Sequence, residues 1–407
     1  MNCKQNLEKS FSVMFSGMMP DGYKNDVLYW GNIPRNDLYK RLPDGTPMMQ
    51  MMDIDFGDVC SLKCPHCFRR DSRNDVVINP LSDEQIVDYI RQGKELGLKQ
   101  IKILGRGEPF QNPEFLKFLR TMTDMDIGVG IFTKGTVLGD DKMAAQYNEK
   151  YGIKSARELA YAVKELKTSI YLNFMSFDDS ISARMVGNVP LYIERRNTAL
   201  HNLVNAGFNE FVAGTPTRLA LICAPYTPET IGEIFDIYKF AHERNMYCVA
   251  CPTTLSGKGL DAYARQQKTG HYAEFIKQAE QEYSKIYAYA IESGIINLDD
   301  FIHDGPHVYP GAHPCNQTRA GFYLQLSGQV NLCPGRVESD TLCTRNVRKY
   351  SSLKECWVNS PACKMAKKCN VGDTPFNCGC IARDKRSLPD DFYEKIKKLT
   401  LQRLNTR

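Results

Sequence analysis

From residue 49 to 251 the sequence alternates six times between short apolar runs and amphipathic stretches. The apolar runs cover 49–56, 99–104, 126–132, 170–174, 218–223 and 247–251. Between them, Ser82 caps a stretch whose apolar face is Ile86, Ile90 and Leu96, and Asn112-Pro113-Glu114 opens a second helix with proline at its first position. Further helices are predicted over 156–166, 192–206 and 228–244. Strands alternating with helices imply a parallel sheet with right-handed crossovers. The fold class is therefore α/β, and six such units fit a partial (β/α)6 TIM barrel. Functional residues of such barrels stand at the C-terminal ends of the strands.

What leaves the first of those strands is Cys60-Ser61-Leu62-Lys63-Cys64-Pro65-His66-Cys67, with cysteines at C-x3-C-x2-C. Three thiolates from one short loop can serve a structural zinc, although zinc loops usually bring C-x2-C pairs and a nearby fourth ligand. They can also hold an iron–sulfur cubane, which normally takes four thiolates, leaving one iron open. The whole chain has 15 cysteines: these three, eight between Cys315 and Cys380, and four scattered ones. A disulfide scaffold is short and secreted. This chain has 407 residues, and its serine-broken start does not read as a signal peptide. Metal binding in a reducing compartment follows, with the cytoplasm as expected location and oxygen sensitivity as a consequence. No apolar run approaches the roughly 18 residues of a membrane span. A net charge of +5, with acids interspersed, lacks the basic stripe of a nucleic-acid binder.

The cysteine loop resembles the signature of the radical S-adenosylmethionine (SAM) superfamily. That resemblance implies a [4Fe-4S] cluster on Cys60, Cys64 and Cys67, whose open iron takes SAM and whose electron releases a 5′-deoxyadenosyl radical. His66 stands where the family commonly has an aromatic ring beside the adenine. Strand two ends in Gly105-Arg106-Gly107-Glu108-Pro109, which resembles the family's Gly-Gly-Glu-Pro element with Arg106 in place of its first glycine. Gly107, Glu108 and Pro109 are thereby expected at the SAM amino group; an ordinary strand-to-helix turn would also use Gly and Pro. Ser176 and Asp178, on one face of an extended segment, match a Ser-x-Asp near SAM's ribose and carboxylate, with Asp178 as a helix cap the competing account. Thr133-Lys134-Gly135 resembles a Thr-Asn-Gly turn. Arg218 could reach SAM's carboxylate or a substrate anion, or simply be a surface residue. Cys223, Cys248 and Cys251 read as buried thiols, and Cys3 is given no role.

Cys315 and Cys333 bracket Gly328 as C-x12-G-x4-C, with a β-hairpin expected between them. This resembles the opening of the SPASM/twitch-like auxiliary-cluster extension of radical SAM enzymes. The later spacing departs from that family: only the five-residue step from Cys363 to Cys369 is kept, and Cys343 is an addition. By chain order Cys315, Cys333, Cys343 and Cys378 would hold one auxiliary [4Fe-4S] cluster. Cys356, Cys363, Cys369 and Cys380 would hold a second. One cluster with spare cysteines, or structural zinc, also fits.

The expected organisation is a lead-in over 1–48, the partial barrel over 49–256, a helical connector over 257–312, and a cysteine-rich cluster domain and tail over 313–407. The resemblance implies a radical SAM oxidoreductase or a peptide- or protein-modifying enzyme. Its substrate would be a small molecule or peptide, and a flavodoxin or ferredoxin would be its reductase. A non-catalytic iron–sulfur or zinc protein, acting as electron carrier or scaffold, explains the cysteines but not Glu108. No general base can be singled out; His303, Asp304 and His307 are candidates by position.

Overall fold

Met51–Ile54 is buried along its whole length, as a strand covered on both faces must be. In the computed structural model it is β1, followed by β2 (Gln100–Ile103), β3 (Gly128–Thr133), β4 (Thr168–Asn173), β5 (Leu219–Cys223) and β6 (Tyr247–Ala250). Each pairs in parallel with the next. The connecting helices include Asp83–Glu95, Phe115–Asp124, Ala156–Lys164, Tyr192–Asn205 and Ile234–His242. Ser82 and Gln85 form the capping box of the first. The sheet is open, and the fold is α/β with a partial TIM barrel. The structure describes residues 3–70, 76–313, 317–334, 346–366 and 388–406.

The hairpin expected near the C-terminus is present as β7 (Gly321–Leu324) and β8 (Val330–Asn331). It is not set apart from the barrel. β7 pairs in parallel with β1, so the strand order is β6-β5-β4-β3-β2-β1-β7-β8. Phe322, Leu324 and Val330 are as buried as the barrel strands, which is why one sheet continues through them.

The lead-in is also integral. Leu7, Phe11 and Phe15 are buried, and Val27 bridges Thr217 just before β5. Trp30 therefore enters the barrel from the N-terminal ends of its strands and packs on Tyr171 and Phe132 at centroid distances of 5.2 and 5.7 Å. Gly130 of β3 leaves the room that the Tyr171 ring fills; a Cβ there would lie 2.3 Å from its hydroxyl. The helix Phe392–Asn405, which the sequence pattern did not announce, packs on the long helix Tyr272–Glu292 through Phe392 and Tyr283. No helix among the described residues is long and apolar enough to cross a membrane.

Candidate active site at the barrel mouth

Beyond Phe56 the chain leaves β1 and wraps the C-terminal mouth of the barrel. Cys60, Cys64 and Cys67 border one cavity of about 1560 Å³, its open mouth included. The loop is held from all sides. Gln111 accepts from Ser61 N at 3.0 Å and donates to Ser61 Oγ at 2.7 Å. Lys258 N donates to Cys67 O and Arg70 O at 3.0 and 2.8 Å, and Ser256 Oγ donates to Phe68 O. Arg106, the departure from the family pattern, pairs with Asp58 at 2.8 Å and donates to Arg69 O at 3.1 Å. It thus clasps both ends of the cysteine loop, which a glycine could not do.

The turn after β2 touches that loop directly. Glu108 N donates to Val59 O at 2.8 Å. A Cβ on Gly107 would lie 2.6 Å from the same oxygen, so only glycine lets the two backbones meet. The Glu108 carboxylate is buried and lines the cavity. It accepts from Thr133 Oγ1 and from Lys134 N at 2.8 Å, so the Thr133-Lys134-Gly135 turn orients it. Burial raises its pKa and these hydrogen bonds oppose the rise. Burial, with Glu108 nearby, pushes the Cys60 thiol up to about 12. His66 also lines the cavity, and burial brings it down to about 3, leaving a neutral ring whose Nε2 has no partner.

Residues that the sequence reading passed over complete the wall. Asn173, the last residue of β4, donates to Ile222 O and Ala224 O at 3.3 Å and leaves Oδ1 without a partner in the cavity. Deeper down stand Asp53, Lys102, Trp30 and Tyr171. For Asp53 and Lys102 the signal was a charged residue inside an otherwise apolar barrel strand; Trp30 lies outside the strands and carried none. Cys251 lines the cavity as well, whereas Cys223 and Cys248 lie in the core, as a strand places residues three apart on opposite faces.

Four of the residues expected to bind SAM are not brought to this cavity. Ser176 Oγ is turned away, donating to Glu233 at 2.6 Å. Asp178 is an exposed helix cap that accepts from Ser180 N and Ile181 N at 2.8 and 3.0 Å. Arg218 precedes β5 and donates to Leu166 O and Thr168 O, at the opposite end of the barrel. Pro109 is buried in a short turn behind the site. His303 and Asp304 lie on an exposed helix and His307 is buried away from the cavity. Of the C-terminal cysteines, Cys333 lines the cavity, while Cys356 and Cys363 are buried in the apolar core with Trp357. Cys315, Cys343, Cys369, Cys378 and Cys380 lie outside the described residues.

Among the described residues no three Cys, His or carboxylate groups converge as ligands of a single ion. The loop thiols instead border a shared space. That donor set suits a cluster with one thiolate per iron better than a tetrahedral zinc. The unpartnered His66 Nε2 and Asn173 Oδ1 suit an organic ligand beside it. Comparison with known proteins agrees with this chemistry: residues 54–241 match the family model described as the radical SAM superfamily. No curated protein sequence matches the chain. Among solved structures, Streptococcus suis SuiB bound to precursor peptide SuiA is similar with 15% identity and a TM-score of 0.48, over 79% of this chain and 67% of that one. SuiB bound to S-adenosylmethionine gives 15% and 0.47, over 79% and 68%.

Proposed function

From the premise that residues 54–241 are a radical SAM domain, we propose that this chain cleaves S-adenosylmethionine reductively and removes hydrogen from a substrate held in the barrel. The observation that carries this reading is the meeting of Cys60, Cys64, Cys67 and Glu108 around one cavity at the strands' C-terminal ends. Cys60, Cys64 and Cys67 would hold a [4Fe-4S] cluster there, which together with SAM would supply 5′-deoxyadenosyl radical chemistry. The chain's own part is placement. Thr133 and Lys134 fix Glu108 so that its remaining lone pairs can accept from an ammonium. His66 Nε2 and Asn173 Oδ1 offer hydrogen bonds to a nucleoside.

Cys333 lines the same cavity, which supports an auxiliary cluster held by it and later cysteines, there to take an electron or bind substrate. The reaction is then an oxidation or a modification of a small molecule or peptide, with a flavodoxin or ferredoxin as electron donor in a reducing cytoplasm. The test is iron and sulfide content after anaerobic reconstitution, with 5′-deoxyadenosine formation on adding SAM and dithionite. Wild type should hold one cluster more than the Cys60/Cys64/Cys67→Ala variant, and the variant should form no 5′-deoxyadenosine. Iron-loaded wild type that leaves SAM intact would make the chain an electron carrier instead.

A further inference from the structure

Resting on the reading above, we infer that the substrate is an organic acid whose anionic head is taken by Lys102 at the floor of the barrel. Lys102 and Asp53 are cross-strand neighbours on β2 and β1, both nearly fully buried and both on the cavity wall. Their closest approach, 3.5 Å between Nζ and Asp53 Oδ1, is looser than a charge-assisted hydrogen bond. Nζ also stands 5.0 Å from the centre of the Trp30 ring, a cation–π contact that takes at most one of its N–H groups. An ammonium has three donors, and these two contacts leave at least one to face the cavity.

A buried ion pair is weak evidence of a purely stabilising role, because desolvating two charges offsets their attraction. Two apolar residues on β1 and β2 would close the barrel floor as well. A cation kept there, under an open cavity, is explained by a ligand that needs it. The sign of the surroundings agrees. Among the described residues six Lys and Arg side chains line the cavity; Arg69, Arg70 and Arg106 pair with Asp55 and Asp58, which leaves Lys102, Lys134 and Lys258 against Asp53 and Glu108. The body of the ligand is set by the aromatic wall beside Lys102: Trp30, Phe132, Tyr171 and Tyr309. Tyr171 spends its hydroxyl on Leu28 O at 2.9 Å and so offers a ring rather than a donor. An acid with an aromatic or apolar body would stand on Lys102 with its C–H bonds directed up to the cysteine loop.

The experiment is calorimetric titration of the anaerobically reconstituted full chain with phenylacetate, phenylacetamide and phenethylamine. Phenylacetate should bind at least tenfold more tightly than the neutral amide. Lys102→Met should remove that preference, Lys102→Arg should keep part of it, and Lys99→Met, an exposed control, should not alter it. Iron content and 5′-deoxyadenosine formation without substrate, read on the same samples, report on the radical reading separately. Binding of phenethylamine in preference, lost in Asp53→Asn, would overturn the inference and make Asp53 the reader of a cation. So would equal binding of all three probes, binding of none, or a preference for the acid that survives in Lys102→Met.

Discussion

Arg69 Nη2 lies 3.0 Å from Asp55 Oδ2, and both side chains are buried. Arg69 follows the last thiol of the loop by two residues, and Asp55 follows β1 directly. Asp55 also accepts from Tyr323 Oη of β7 and from Leu326 N at 3.0 Å, while the Arg69 guanidinium lies 4.8 Å from the Tyr323 ring. One carboxylate therefore fastens the cysteine loop to the hairpin that carries Cys333. Removing one partner of a buried pair strands the other charge, which typically costs about 3–5 kcal/mol. Arg69→Met should lose stability on that scale in urea titrations and should hold less iron after reconstitution. A loss below about 1 kcal/mol with full iron would contradict the role given to this pair.

Gly107 gives a steric prediction. Its missing side chain admits Val59 O, and a Cβ would sit 2.6 Å away against backbone that cannot swing aside. Gly107→Ala should part the Glu108 turn from the cysteine loop and reduce 5′-deoxyadenosine formation more than tenfold. Gly232→Ala is the control, since its Cβ would meet only the end of the Gln278 side chain at 3.1 Å. Equal activity of the two variants would show that the contact is dispensable.

Arg218 separates position in sequence from position in space. Its guanidinium donates to two carbonyls at the barrel's N-terminal end, so Arg218→Ala should destabilise by about 1.5–3 kcal/mol, the range for hydrogen bonds of a charged group. The KM for SAM should stay unchanged. A raised KM at unchanged stability would return Arg218 to the site.

The contrast with Glu108 shows what was legible. Glu108 follows a strand by a glycine turn, and the turn itself fixes its place, so sequence order was enough. Ser176 and Asp178 follow β4 no farther than Glu108 follows β2, but there the chain is turning into the helix Asp179–Met185, which Asp178 caps. Their hydroxyl and carboxylate answer to that helix and to Glu233, which no local pattern announces. Asn173 was closer to the strand end and reached the cavity, but one amide in an apolar run carries no motif. The barrel itself was legible because six apolar runs had no other way to be buried on both faces. The union of the hairpin with β1 was not, since it depends on which edge is left open.

Two buried histidines away from the site, like His66 within it, contribute to the response to acid. Burial holds His242 down to about 3, with Tyr23 Oη against its Nδ1 and the Tyr238 ring at 4.2 Å. Burial, with His313 adding to it, holds His307 down to about 3. Both values lie below the ordinary 6.5, so the unfolded chain takes up protons that the folded one refuses. Stability is then complete above pH 6.5 and falls as pH drops toward 3, by up to about 1.4 kcal/mol per pH unit for each ring. Urea midpoints measured at pH 7, 6 and 5 should decline, and the decline should be shallower in His242→Gln by one proton's worth. Two other carboxylates, Asp26 and Glu282, are themselves raised by burial. They bind protons more readily in the folded state and work against the trend, so the histidine contribution is read from the difference between wild type and variant. Parallel pH profiles for the two proteins would mean that His242 is not the group that refuses the proton.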